Sequence, residues 1–472
     1  MQRQKTAPMH DHKDFGPDIT IAEFQKKMVE KHTTMSAGHL KLMAISGFLL
    51  LIGIIAIVIR ATTDGFEYRA PWGYYAATVA FLLTAAGGAP LIIVALRLTH
   101  AHWRRPFARI SELYAAVGIL TLGLFIPLLL LVPTANNRFT LWFQADNGGS
   151  SIRIPWAPHF WITLLISMLV VSGIALLLVS ARSDKANLND NMNKPRGWLS
   201  KGWVGNSKQW SIKKGGLTFL GACYFFLLIG TLSFFSVDFG MALVPGWKDA
   251  IFPAFQSITG LQAGLATVIV TLWLVRKYCG FEDYIQMEHF WAASKILLAL
   301  SLMFFYFWFS GFIIFWYGRL PAEVNVLNLL MFGPYKVFFF SAFILNFVAP
   351  FLILLWNSAR KTMWGPTLAA SLILIGTLID KIRIYVASYS VDFNNSPVSI
   401  FDHKLNLVPA FQAPDVIDVL IVLGCLSGGV FMLSVAAKLF PIFSLWEISE
   451  GIKIRTVKPY LRTKLLILGK PE

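Results

Sequence analysis

The sequence predicts an all-α integral membrane protein with ten spans, and three observations carry that class. Apolar residues make up 56% of the 472-residue chain and charged residues only 14%, against about 25% charged in an ordinary soluble domain. The mean hydropathy is +0.61, more apolar surface than a soluble fold of this size can hide. The basic residues cluster in alternate gaps between long apolar runs. A soluble enzyme, a disordered chain and a disulfide scaffold are excluded on these grounds.

A membrane helix needs about 20 mostly apolar residues. Ten stretches qualify: 41–60, 71–97, 111–133, 156–180, 215–236, 251–275, 288–316, 333–357, 364–389 and 417–440. The first follows a polar tail, residues 1–40, that holds a short amphipathic helix near 19–31; with no cleavage pattern after it, this span reads as retained rather than as a signal peptide. If the N-terminus is cytoplasmic, the cytoplasmic segments hold 30 Lys and Arg, the opposite loops 7, and four lie within spans. That bias orients the chain by the positive-inside rule, with both termini cytoplasmic and an even number of spans. The net charge of +16 is therefore an orientation device with an affinity for anionic lipid, and no nucleic-acid partner is expected. Spans one to four occupy 41–180, a polar basic linker 181–214, spans five to ten 215–440, and a basic tail 441–472. None of the polar pieces is long enough for a catalytic domain.

An internal repeat organises the spans. Span three opens Glu112-Leu-Tyr-Ala-Ala-Val-Gly-Ile-Leu120 and span seven His289-Phe-Trp-Ala-Ala-Ser-Lys-Ile-Leu297. Span five contains Leu228-Ile-Gly-Thr-Leu232 and span nine Leu374-Ile-Gly-Thr-Leu378. The matches keep order and membrane sense, so two parallel four-helix bundles are expected, 71–236 and 251–389, flanked by spans one and ten.

The chemistry is narrowed mostly by exclusion. Cys223, Cys279 and Cys425 show no CxxC or His-Cys spacing, which suggests no zinc site, iron–sulfur site or disulfide framework. None of the nine His sits at mid-membrane, and there is no Walker A or dinucleotide fingerprint. No metal and no catalytic residue is expected in this chain. Charge within spans is the remaining clue, because it is expensive there. Asp380 and Arg383 are i,i+3 on span nine with Thr377 on the same face, and Lys381 lies between them. Sixteen residues from Trp364 at about 1.5 Å each place Asp380 some 24 Å along a core of about 30 Å. Asp238 ends span five on the same, outer side. A buried ion-pair network and an interfacial set that snorkels to water both fit these residues. Trp72 and Tyr74 either wall an outer site or belong to the aromatic belt. Glu112, His289 and Lys295 are the inner-side proton-path candidates. Lys295 stands about two turns into its span, where a proton path or a structural ion pair would each explain it.

Four motifs resemble one family. Pro71-Trp-Gly-Tyr-Tyr75 with Phe81 and Ala86-Gly-Gly-Ala89 is similar to the opening of the NrfD/PsrC-type membrane subunits of polysulfide reductase and its relatives. Trp103-Arg-Arg-Pro106 with Arg109-Ile-Ser-Glu112 resembles the next turn of that family. Ser236-Val-Asp-Phe-Gly-Met-Ala-Leu-Val-Pro-Gly-Trp247 and Trp316-Tyr-Gly-Arg-Leu-Pro-Ala-Glu323 resemble segments of its larger, ten-helix members, the membrane subunits of alternative complex III. The resemblance covers about 40–440. It implies a bacterial inner-membrane subunit of a quinol:acceptor oxidoreductase. It also implies an outer-side site for quinol or menaquinol as substrate and no cofactor in this chain. The implied partners are an iron–sulfur/molybdopterin-like extrinsic subunit, a second NrfD-like membrane subunit and c-type cytochrome subunits, which carry the iron–sulfur clusters and c-haems. Where the quinol-binding member carries a His near the outer end of span three, this chain has Val132-Pro-Thr-Ala-Asn-Asn137, so both the quinol-binding and the partner role stay open. Asp238, Asp380 and Arg383 are then the expected proton-handling residues. A secondary transporter and a purely structural anchor subunit are the alternatives.

Overall fold

The computed structural model describes residues 20–33, 36–132, 143–145, 151–153, 158–192, 195, 197–391, 405, 407–460 and 463–468. The segment 133–137 singled out above lies outside the described residues. In chain order the helices are α1 (Ile21–Thr33), α2 (Ala37–Thr63), α3 (Gly73–Leu98), α4 (Arg105–Leu113), α5 (Val117–Leu131), α6 (His159–Asn191), α7 (Ser207–Asp238) and α8 (Phe252–Cys279). They continue with α9 (Met287–Gly318), α10 (Pro321–Leu327), α11 (Lys336–Phe343), α12 (Ala349–Leu355), α13 (Asn357–Arg360), α14 (Trp364–Tyr389), α15 (Val416–Leu439) and α16 (Leu445–Ile454). Two antiparallel hairpins complete the chain, β1 (Phe143–Ala145) with β2 (Ser151–Arg153) and β3 (Arg455–Tyr460) with β4 (Thr463–Leu468).

Among the described residues, nine helical segments are long and apolar enough to cross a membrane, and the protein is a multi-pass, all-α membrane protein. The expected ninth span, α14, is not among those nine: Asp380, Lys381 and Arg383 interrupt its apolar run, although it is 26 residues long and mostly buried. The expected eighth span is not one regular helix. Two π-turns, Asn328–Phe332 and Ile344–Val348, interrupt the region, the second joining α11 to α12.

The packing is set by close helix crossings. A Cβ on Gly53 of α2 would lie 2.7 Å from Gly424 Cα of α15, so only small residues let these backbones meet. The pair is pinned at one end by Arg60, which reaches Asp415 at 2.8 Å and Asp418 at 2.7 Å. A Cβ on Gly88 of α3 would lie 3.2 Å from Gly264 Cα of α8, and this crossing joins the halves of the molecule. Also packed together are α3 with α5, α5 with α6, α6 with α7 and α7 with α3, then α8 with α9, α9 with α12, α12 with α14 and α14 with α8.

The terminal segments share one end of the molecule, here the tail end. There α1 buries Phe24 and Met28 among Phe281, Phe443 and Leu445, and it touches α16. Stretch 181–214, expected as a linker, is largely helix: α6 runs on to Asn191 and α7 starts at Ser207, capped by Asn206. Stretch 441–472, expected as a basic tail, holds α16 and the β3–β4 hairpin.

Candidate functional site: two buried polar clusters

The first cluster lies toward the far end, among α8, α9, the π-turn Ile344–Val348 and α14. One helical turn puts Arg383 over Asp380, and its Nε and Nη2 donate to Asp380 Oδ1 at 3.1 and 2.7 Å. Its Nη1 donates to the Leu330 carbonyl at 2.9 Å, and the guanidinium sits 5.5 Å from the Phe339 ring centroid. That carbonyl belongs to the last turn before Gly333, where intrahelical donors run out. Lys381 Nζ donates to Gln256 Oε1 of α8. A turn deeper, Thr377 donates to Asn346 Oδ1 at 3.0 Å. Gln262 Nε2 donates to Ser301 Oγ at 3.0 Å and to the Asn346 carbonyl at 2.9 Å. Gln256 and Gln262 are six residues apart on one helix, so the set spans about 9 Å of depth.

Asn346 enters this column because the π-turn holds it there, and single π-turns inside helices recur at functional sites. Its amide fills the space over Gly376, where a Cβ would lie 2.9 Å from Asn346 Nδ2. All these side chains are buried. Four of their polar atoms still lack a hydrogen-bond partner among the described residues: Asp380 Oδ2, Gln256 Nε2, Gln262 Oε1 and Asn346 Nδ2. Buried polar groups are usually bonded, and the tail-end cluster holds unpartnered atoms too, among them Arg109 Nε, Glu112 Oε1 and Glu447 Oε2.

The second cluster closes the tail end of α3, α4, α6 and α7. Arg109 is fully buried and bridges Glu112 at 2.8 Å and Asp184 at 2.6 Å. Arg97 lies 2.6 Å from both Glu112 and Glu447, the latter on α16. Asp184 also accepts from Ser444 Oγ at 3.3 Å and the Trp446 amide at 3.1 Å. Arg104 faces Glu447 and Glu450 at 3.6 Å. Lys213 donates to Ser183 at 2.5 Å and lies 4.3, 4.9 and 5.8 Å from the rings of Trp446, Trp210 and Trp203. Each of these carboxylates faces at least one guanidinium, so fixed charge is neutralised where burial would otherwise forbid it.

The residues expected from sequence divide between these clusters and other places. Asp380 and Arg383 stand together as an ion pair, and Glu112 anchors the tail-end network. Asp238 is fully buried at the last residue of α7. Its turn abuts α14 through Phe235, 5.8 Å from Tyr385, and Gly240. Trp72 and Tyr74 are buried rather than lipid-facing. The Trp72 indole donates to the Gly65 carbonyl at 3.0 Å and its ring stacks on Phe66, while the Tyr74 hydroxyl donates to the Gln412 carbonyl at 2.9 Å. Both tie down the chain around α3. His289 caps α9 through the Gln286 amide at 3.0 Å. Lys295 is exposed, its Nζ 3.6 Å from the Trp291 ring centroid, and so lies outside the network. Sequence reasoning passed over Gln256, Gln262, Ser301 and Asn346; the signal was amides within otherwise apolar runs. It also passed over Arg97, Asp184, Lys213 and Glu447, whose meeting depends on long-range closure. No protein-family model matches the chain, and no curated protein matches it.

Between α3, α5, α6 and α7 lies a cavity of about 20 Å³ lined by Gly87, Tyr114, Thr121, Gly173 and Tyr224, the space of one or two waters. The far-end column is different in kind. It sets an acid, a base and carboxamides within an apolar wall, the inventory needed to pass or hold a proton.

Proposed function

We propose that this chain is an integral membrane subunit of a multi-subunit quinol:electron-acceptor oxidoreductase of the alternative complex III type. The observation that carries the reading is the incompletely bonded set Asp380, Lys381, Arg383 and Gln256, buried within a multi-pass helical protein. Quinol oxidation releases protons, and a subunit that holds no electron carrier contributes by binding quinol or by handling those protons. Iron–sulfur and c-haem subunits supply the electron path, and a second NrfD-like subunit shares the membrane. Asp238 and the Asp380–Arg383 pair serve the outer side, with the bacterial inner membrane as the setting and both termini cytoplasmic.

The same reading takes α14 as a tenth spanning helix and groups the helices into two parallel bundles, α3 to α7 and α8 to α14, flanked by α2 and α15. The closed rings of packing within each set support it, as does the placing of the two Leu-Ile-Gly-Thr-Leu segments on the fourth helix of each. A second reading, secondary transport, draws support from the interrupted region 328–348, since broken helices line transport sites. Mild-detergent purification separates the two. The oxidoreductase subunit co-purifies with iron–sulfur and c-haem absorbance and quinol-dependent reductase activity, whereas the transporter isolates alone. In membranes with such activity, Asp380→Asn slows quinol turnover or its proton coupling; full turnover and coupling in that variant would remove Asp380 from the site.

A further inference from the structure

Asp380 is the acid that sequence brings forward, yet it is the most firmly held group of its cluster. Two guanidinium nitrogens of Arg383 converge on one of its oxygens, Oδ1, so the two charges are matched within one turn even though Oδ2 has no hydrogen-bond partner among the described residues. Lys381 next to them is 2% exposed, and its hydrogen bond is to a neutral carboxamide, Gln256. An ammonium has three N–H donors and a neutral amine has two plus a lone pair. One neutral acceptor satisfies neither form in full. Among the described residues, the charged groups beside Lys381 are Asp380 and Arg383 of its own helix, which are paired with each other. The elements packed on α14 at this level bring Gln256 from α8, and deeper Asn346 from the π-turn.

We propose that Lys381, not Asp380, is the proton-exchanging group of the far-end cluster, with Gln256 as its positioning partner and Asp380–Arg383 as a fixed pair. The step is acid–base only: the Nζ lone pair binds a proton and later returns it, and no electron moves on the lysine. This rests on the proposed proton-handling role and deepens it, since Lys381 is absent from the residues that the family resemblance or the repeat points to. The Gln256 amide nitrogen, itself orphaned, faces the same chemistry from the other side.

The test uses the full chain, nitrogen-15-labelled at lysine Nζ, in lipid nanodiscs. One Nζ resonance should pass between ammonium and amine forms between about pH 6 and 9, where a solvent-exposed lysine stays charged. That resonance must vanish in Lys381→Met. It must shift in Gln256→Leu, which leaves the lysine in place and guards against a Met variant that fails to fold. A Lys381 signal that stays ammonium across that range overturns the inference. In coupled membranes, Lys381→Arg keeps the charge but cannot release its proton, so coupling falls at least about tenfold, as in Lys381→Met; rescue by Arg would mean a structural cation. The resonance experiment needs neither quinol nor partner subunits. A titrating Lys381 without quinol turnover would sink the proposed function and leave this inference standing.

Discussion

The two ends of the molecule handle buried charge in opposite ways. At the tail end, Arg97, Arg109, Glu112, Asp184 and Glu447 are cross-linked at 2.6 to 2.8 Å, each acid facing a guanidinium. At the far end stand one ion pair, one lysine and three carboxamides, and at both ends some buried polar atoms have no hydrogen-bond partner among the described residues. A network of matched opposite charges loses strong attraction when any member leaves it, while neutral carboxamides around a lysine exchange partners at lower cost. The difference is one of charge matching: acids held by guanidinium groups at one end, and a lysine held by a neutral carboxamide at the other.

The comparison is broken most directly at Arg109. Arg109→Ala takes from Asp184 its guanidinium and leaves Glu112 with Arg97, and we expect a loss of about 3–5 kcal/mol, read as lost folded yield and thermal stability in detergent. A shift of only a degree or two would mean that the network is decorative. Arg383→Ala comes next, at about 3 kcal/mol, because it strands one acid. Asp380→Asn should leave assembly intact, since its amide oxygen still accepts from Arg383; equal damage from both variants would mean that the carboxylate charge itself holds the far end together. A smaller effect is expected from Gly376→Ala. The new methyl crowds the Asn346 amide, and we expect about 1–3 kcal/mol together with altered exchange of the buried amides by hydrogen–deuterium exchange. No change there would mean that the π-turn gives way freely. The smallest effect lies outside both clusters, at Asp249 in the α7–α8 loop. Burial raises its pKa despite the amides of Ile251 and Phe252 at 2.8 and 3.1 Å. Its protonated form is therefore favoured in the folded state. That contribution is present at low pH and is lost as pH rises through the raised value. Asp249→Asn should flatten this slope in thermal melts across the mildly acidic range.

How much of the molecule was legible in the sequence depends on the range of the forces involved. The apolar runs and the i,i+3 spacing of Asp380 and Arg383 are local; the pair appears as read, and so do the runs apart from the eighth and ninth. Asn346 was not legible, because a π-turn adds a residue to one helical turn and rotates the rest of the helix, so a 3.6-residue reading mistakes its facing. Lys295 was read by depth alone, but facing decides its fate: on an exposed surface the amine lies over Trp291 and needs no acid. The Arg97–Glu447 contact joins residues 350 apart in sequence, and no local pattern encodes such a closure. Trp72 fits both a belt and a pocket by composition, and the structure adds that it is buried, stacked on Phe66 and bonded to the Gly65 carbonyl.

The Gly53–Gly424 crossing also bears on how the protein is made. Helix α2 docks chiefly on α15, and Arg60 finds Asp415 and Asp418 only when α15 is present. The ribosome must add some 350 residues between the two, about 20 to 70 s of synthesis at ordinary rates. Throughout that interval the Arg60 guanidinium has Asp64, 2.9 Å away one turn on, as its acid, and the two acids of α15 are still to come. The α2–α15 contact therefore forms late, and a nascent chain stalled before residue 415 holds Arg60 with one acid where the finished fold gives it three.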